Sequence, residues 1–147
     1  MSKNTPSDYN SPGPTTQKIE DLLKWVRPII RRWPKLDRED LGASILEGLR
    51  TMKHMSIRAG ALYYNQTTLR DLYIEKKSVE SDMREASETT YQDKKKQVRK
   101  LIEVHSYGVW CEKIDEIGKM IWGWKEKAEA KKSGDKEKPA PHPPEDA

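Results

Sequence analysis

Ile19, Leu22, Leu23, Val26, Ile29, Ile30 and Trp33 recur three and four residues apart, separated by Glu20, Asp21, Lys24 and Arg27. That spacing stacks the apolar residues on one side of a helix and leaves the charges on the other. Thr16 is the expected N-cap, with Glu20 and Asp21 as negative charge near the start of the helix dipole. Pro28 removes one ladder hydrogen bond without breaking the apolar pattern, which predicts a kink. Trp33-Pro34 ends the segment, because a residue before proline is pushed away from helical angles. A second stripe, Leu41, Ile45, Leu49, Met52, Ser56 and Ala59, widened by Leu46 and Met55, predicts a helix from near Asp37 to the Gly60–Asn65 stretch. A third, Leu69, Leu72, Lys76, Val79, Met83 and Ala86, is narrow and includes a charge. The fourth contains Trp110, Ile114, Ile117, Ile121 and Trp124, with Glu112, Lys113, Asp115, Glu116 and Lys119 between them.

Capping arrangements divide these stripes. Thr68-Leu-Arg-Asp71 predicts the start of the third helix, and Thr90-Tyr-Gln-Asp93 the start of the next. Val98, Leu101, Ile102, His105 and Val109 lead into the terminal block, either as one helix over residues 91–128 or as two pieces broken near Ser106–Gly108. Gly118 and Gly123 lie inside that helical pattern at about 1 kcal/mol each relative to alanine, which predicts a neighbouring backbone close by. There is no strand signal and no repeat. Four helices on short connections predict an all-α fold, an antiparallel four-helix bundle.

The chain has 147 residues, enough for one domain, and 34% hydrophobic against 35% charged residues allows one modest core. The Ser-, Asn- and Pro-rich residues 1–14 and the charged, Pro-rich residues 129–147 lack the apolar material to offset their ordering entropy. Both are expected to be disordered tails around a bundle at 15–128. Cys111 is the only cysteine, and no intramolecular disulfide is possible. No apolar run approaches the roughly 18 residues of a membrane span, and no basic-then-apolar leader pattern is present. The expected setting is a reducing, cytoplasmic one, away from membranes.

Net charge is +4, and its distribution matters more than its total. Lys24, Arg27, Arg31, Arg32, Lys35 and Arg38 form one basic stretch, and Lys94, Lys95, Lys96, Arg99 and Lys100 another, separated by the net-acidic Asp71–Glu88. Such stripes are an electrostatic footprint for nucleic acid or, alternatively, plain solvated helix faces. Catalytic signals are lacking. His54, His105 and His142 stand apart from one another with no second ligand at metal spacing. His105, on the apolar pattern, reads as a hydrogen-bonded interior side chain. Cys111 has no histidine at helical spacing to activate it. The sequence therefore offers no catalytic residues, no metal site, no cofactor and no small-molecule substrate site.

Three blocks resemble the accessory variability determinant (Avd) proteins of diversity-generating retroelements, whose wider relatives are the bacterial four-helix bundle proteins. They are Trp33-Pro-Lys-Leu-Asp-Arg-Glu-Asp-Leu-Gly42, Tyr63-Tyr-Asn-Gln-Thr-Thr-Leu-Arg-Asp-Leu72, and Tyr107 and Trp110 with Asp115-Glu-Ile-Gly-Lys-Met120 and Gly123-Trp124. The resemblance covers most of residues 20–126. It implies a four-helix protomer in a homopentameric barrel that associates with a reverse transcriptase and with template RNA or cDNA, as a non-catalytic accessory subunit. The residues expected to contact phosphates are Arg31, Arg32, Lys35, Arg38, Lys94, Lys95, Lys96, Arg99 and Lys100. Those expected to serve helix packing or oligomer contacts are Tyr107, Trp110, Ile117, Gly118, Ile121, Gly123 and Trp124. The chain departs from the family pattern in the polar Glu80, Asp82 and Glu85, in extra residues between Ser87 and Glu103, and in Trp122 before Gly123. The alternative function is a general helical protein-interaction module with no specific nucleic-acid role.

Overall fold

Four long helices carry the chain in the computed structural model, which describes residues 13–136. They are α1 (Pro14–Arg31), α2 (Ala43–Ala61), α3 (Gln66–Glu88) and α4 (Val104–Lys136). A helical turn, Lys35–Asp37, and a π turn, Arg38–Gly42, lead without a break into α2. The all-α four-helix bundle expected from periodicity is the fold.

The predicted stripes are the buried faces. Ile19, Leu22, Leu23, Val26, Ile30 and Trp33 of the first segment are buried, as are Leu41, Ile45, Leu49, Met52, Ser56 and Ala59 of the second. Every member of the third stripe is buried, Lys76 included, and so are Trp110, Ile114, Ile117 and Ile121. Contacts run in opposite senses along neighbouring helices. Early α1 meets late α2 through Thr16 and Ser56, while early α2 meets late α3 through Ser44 and Asp82. Gln66 at the start of α3 donates to the Ala128 carbonyl late in α4 (3.2 Å).

The buried hydroxyls order themselves. Ser56 Oγ gives its one proton to the Lys53 carbonyl at 2.7 Å. The 2.6 Å contact with Thr16 Oγ1 must then run from Thr16 to Ser56. Two polar side chains are thereby satisfied inside the core, where an unmade bond would cost about 1–3 kcal/mol.

Helix starts differ from the capping patterns. Gly13 caps α1 with Pro14 at its first position, so Thr16 lies inside the helix, its hydroxyl drawn to Ser56, and no acidic residue occupies the first turn. Asn65 takes the cap position of α3, three residues ahead of Thr68. In both cases the helix extends until a proline or a chain reversal stops it, beyond the capping-type residue. Pro28 is accommodated inside α1. Pro14 and residues 129–136 are helical, so the helices extend past the expected 15–128 at both ends. The rest of both expected tails, with His142, lies outside the described residues.

The largest correction falls between α3 and α4. Thr90–Gln92 (β1) and Val98–Lys100 (β2) pair as an antiparallel ribbon, with Tyr91 opposite Arg99. Residues 91–128 are therefore neither one helix nor two broken near Ser106–Gly108. Thr89, Thr90, Tyr91 and Val98 are the β-branched and aromatic residues that favour extended backbone. Pairing continues where the Leu101 amide donates to the Thr89 carbonyl (2.9 Å) and Ile102 to Ala86 (3.3 Å). Leu101 and Ile102 are buried, which anchors the ribbon to the core.

Of the two glycines in the terminal block, only Gly118 marks a close approach, and it is by a side chain. A Cβ at Gly118 would lie 3.0–3.2 Å from the Nζ, Cε and Cδ atoms of Lys76, and one at Gly123 would meet nothing within 4 Å. The predicted backbone neighbour is thus absent at both positions within the protomer. A tighter contact sits at Gly48, where a Cβ would fall 2.6 Å from Val79 Cγ2. Gly48→Ala gains about 1 kcal/mol of helix propensity but forces a β-branched neighbour aside at about 1–3 kcal/mol. The expected net result is a lower midpoint in thermal unfolding, and an unchanged or raised midpoint would contradict this packing.

Candidate nucleic-acid interface

The two basic clusters emerge from one end of the bundle, where α1 and α3 finish and α2 and α4 begin. Trp33 and Trp110 stack across that end with ring centroids 6.3 Å apart, and Ser44 donates to Asp82 nearby. All nine cations named from the sequence are exposed: Arg31, Arg32, Lys35, Arg38, Lys94, Lys95, Lys96, Arg99 and Lys100. The two groups differ in what surrounds them.

At the α1–α2 junction the turns that carry Lys35 and Arg38 also carry Asp37, Glu39 and Asp40, so charge nearly balances. Arg38 has a local task. Its Nη1 lies 3.4 Å from the Arg31 carbonyl and 3.5 Å from that of Trp33. Arg31 ends α1 and Trp33 follows two residues on, so a cation at these carbonyls suits the C-terminal end of the helix dipole.

The ribbon carries five cations against one carboxylate, Asp93, and that carboxylate is occupied. Asp93 Oδ1 accepts from the Lys95 amide (2.8 Å) and the Gln97 amide (2.9 Å), while Oδ2 lies 3.7 Å from Arg99 Nε. The Lys96 amide donates to the Asp93 carbonyl (2.9 Å), closing a tight turn, and Lys96 takes a left-handed φ of 63°. A turn followed by a left-handed residue is a common way to close a three-residue hairpin loop, and glycine fits that position without strain. Lys94, Lys95, Lys96 and Lys100 have no ion-pair partner among the described residues. The Thr90–Asp93 pattern read as a helix start is in fact one side of this hairpin.

The helix-packing set splits by burial. Trp110, Ile117, Gly118 and Ile121 are buried within the protomer, whereas Tyr107, Gly123 and Trp124 are half-buried. His105 is exposed, which corrects its reading as an interior side chain. Cys111 and Tyr107 border a cavity of about 440 Å³ between α3 and α4, with Lys77, Ser81 and Arg84. Burial, and then a hydrogen bond with Cys111, push the Tyr107 phenol above its ordinary value. Among the described residues no group of three or more His, Cys, Asp or Glu side chains is placed to hold a metal ion.

Sequence reasoning missed two aromatic features. Trp25 packs edge-on against Trp110 at 5.7 Å, under the Lys113 ammonium. Trp122, 48% exposed, sits 5.7 Å from Tyr73 on the outer side of α3 and α4. Neither follows the main apolar stripes, and only charge flanking an off-stripe aromatic signals them.

The fold and its exposed lysines define a four-helix bundle with a basic β-hairpin finger. The chain matches no protein-family profile, no curated protein and no solved structure. No helix among the described residues is long and apolar enough to cross a membrane.

Proposed function

We propose that this chain is a non-catalytic accessory subunit of a diversity-generating retroelement. It binds the reverse transcriptase and template RNA or cDNA through basic surfaces and works as a homopentamer in the cytoplasm. The reading rests on the sequence blocks that resemble the Avd family. The observation that carries the nucleic-acid part is the set of unpaired lysines on the hairpin, Lys94, Lys95, Lys96 and Lys100. Unpaired ammoniums neutralise phosphates and release condensed counterions, which gives affinity without base reading. A ring of copies would multiply these modest contacts through effective concentration.

A titration against structured RNA at rising salt tests this. The logarithm of affinity should fall linearly with the logarithm of salt, at about 0.7–0.9 per phosphate contacted. Changing Lys94, Lys95 and Lys96 together to glutamine should flatten that slope by about 2–3. Absence of binding at low salt would overturn the nucleic-acid role.

The second reading, a protein-interaction bundle, is favoured by Trp122 and by Ile74, which is 59% exposed on α3. Exposed aromatic anchors are frequent at protein interfaces. It predicts self-association or capture of a protein partner with no salt-sensitive RNA binding.

A further inference from the structure

We infer that the hairpin is a pre-set phosphate clamp for duplex nucleic acid, built by Asp93; this rests on the nucleic-acid reading above. Strand alternation sorts the side chains. Tyr91 packs against the core, so the face it shares with Arg99 turns toward the bundle. The opposite face presents Thr90, Gln92, Val98 and Lys100 to solvent.

That outward face holds no aromatic ring. Single-strand binders depend on aromatic platforms for unstacked bases, and the one ring of the ribbon is turned inward. What the ribbon does present is phosphate-seeking charge at two places, Lys94, Lys95 and Lys96 at the tip and Lys100 at the base. Lys100 lies four residues beyond Lys96, roughly 13 Å along extended backbone at about 3.3 Å per residue. A B-form major groove is about 12 Å wide and admits a two-stranded ribbon. The spacing therefore suits phosphates on two sides of a groove rather than one flexible strand.

Asp93 is the positioning residue. Its Oδ1 fixes the amides of Lys95 and Gln97, so the three tip lysines leave the loop in set directions. Arg99, tied to Oδ2, serves the scaffold. Lys96 occupies a left-handed position where glycine would be unstrained, and supplies the third ammonium of the tip.

Simple electrostatics and this arrangement make opposite forecasts. Asp93→Ala and Asp93→Asn each remove one negative charge, and both should tighten phosphate binding if charge alone matters. Only asparagine keeps an oxygen that accepts from the Lys95 and Gln97 amides. The experiment measures affinity of the full chain for a 20-base-pair duplex and for its single strand, for wild type and both variants. DNA and RNA versions of each distinguish the source of the phosphates, and thermal melts verify that each variant is folded. The expected result is at least tenfold preference for one duplex over its single strand, about tenfold weaker duplex binding for Asp93→Ala, and binding within twofold of wild type for Asp93→Asn. Equal or tighter duplex binding by folded Asp93→Ala overturns the clamp while leaving the nucleic-acid function intact. So does equal or tighter binding of single strand by wild type. Wild type that binds none of the four probes at low salt overturns the functional reading itself.

Discussion

Trp110→Ala is expected to lower the unfolding free energy by about 3–5 kcal/mol, the range for removing a fully buried large aromatic side chain. Trp110 has no exposed surface, and it joins α4 to α1 and to the bend that follows α1 through two rings, Trp25 edge-on at 5.7 Å and Trp33 nearly parallel at 6.3 Å. Alanine leaves a void beneath both indoles at the end of the bundle that carries the basic groups. A domain of this size is stable by only about 5–15 kcal/mol, so the loss consumes a large share. Trp110→Phe is expected to cost far less, about 1–2 kcal/mol. The Trp110 Nε1–H has no hydrogen-bond partner among the described residues, so phenylalanine forfeits ring area but no hydrogen bond. Urea unfolding followed by far-ultraviolet circular dichroism separates the two variants. Equal costs would mean that the aromatic cluster is not what joins α1 to α4.

Lys76 gives the second large effect. It is 4% exposed on the apolar face of α3, with its stem in the notch at Gly118. Its Nζ reaches Glu80 Oε2 at 2.7 Å and lies 4.9 Å from the Tyr73 ring. Lys76→Ala removes three methylenes beyond Cβ, at about 0.8 kcal/mol each, together with the partner of Glu80. The expected loss is about 2–3 kcal/mol. Lys76→Met keeps most of the volume without the charge, and buried ion pairs often tolerate apolar replacement of similar shape. Glu80 retains access to water, its side chain being 26% exposed, so methionine is expected to stay within about 1 kcal/mol of wild type. A methionine variant as unstable as alanine would show that the ion pair, rather than the stem, holds α3 against α4. The notch adds a coupled expectation. Gly118→Ala crowds Lys76 in the wild type but becomes stabilising once Lys76→Ala clears the space, by up to the ~1 kcal/mol that separates glycine from alanine in a helix.

Much of the bundle was legible because helical burial is periodic. The stripe from Leu69 through Lys76 to Ala86 was found whole, charge included, since face membership depends on spacing alone. The hairpin was not legible. Thr90-x-x-Asp93 satisfies a local helix-start pattern, and only pairing with residues up to ten positions away makes it a strand. The same mistake misplaced His105. A helix running from residue 91 would place it in phase with Val98, Leu101 and Ile102. Residues 98–100 are a strand and the helix starts only at Val104, so that phase is lost, and within α4 His105 sits about 140° around the helix from Trp110, at 100° per residue. The candidate site was half legible in the same sense. Its lysines were visible as a charge run, but the separate task of Arg38 at the end of α1 and the holding of Arg99 by Asp93 required coordinates.

The sequence by itself determined the class of fold, the four buried faces and the residues that carry surplus positive charge, because those properties follow from local spacing and composition. Only the tertiary structure decided that one basic run is a hairpin organised by a single carboxylate, that Gly118 receives a lysine stem rather than a backbone, and that three tryptophans bind α1 and the bend after it to α4. Each depends on groups distant in sequence being brought within a few ångströms, and free energies of packing and pairing, unlike periodicity, are set by those distances.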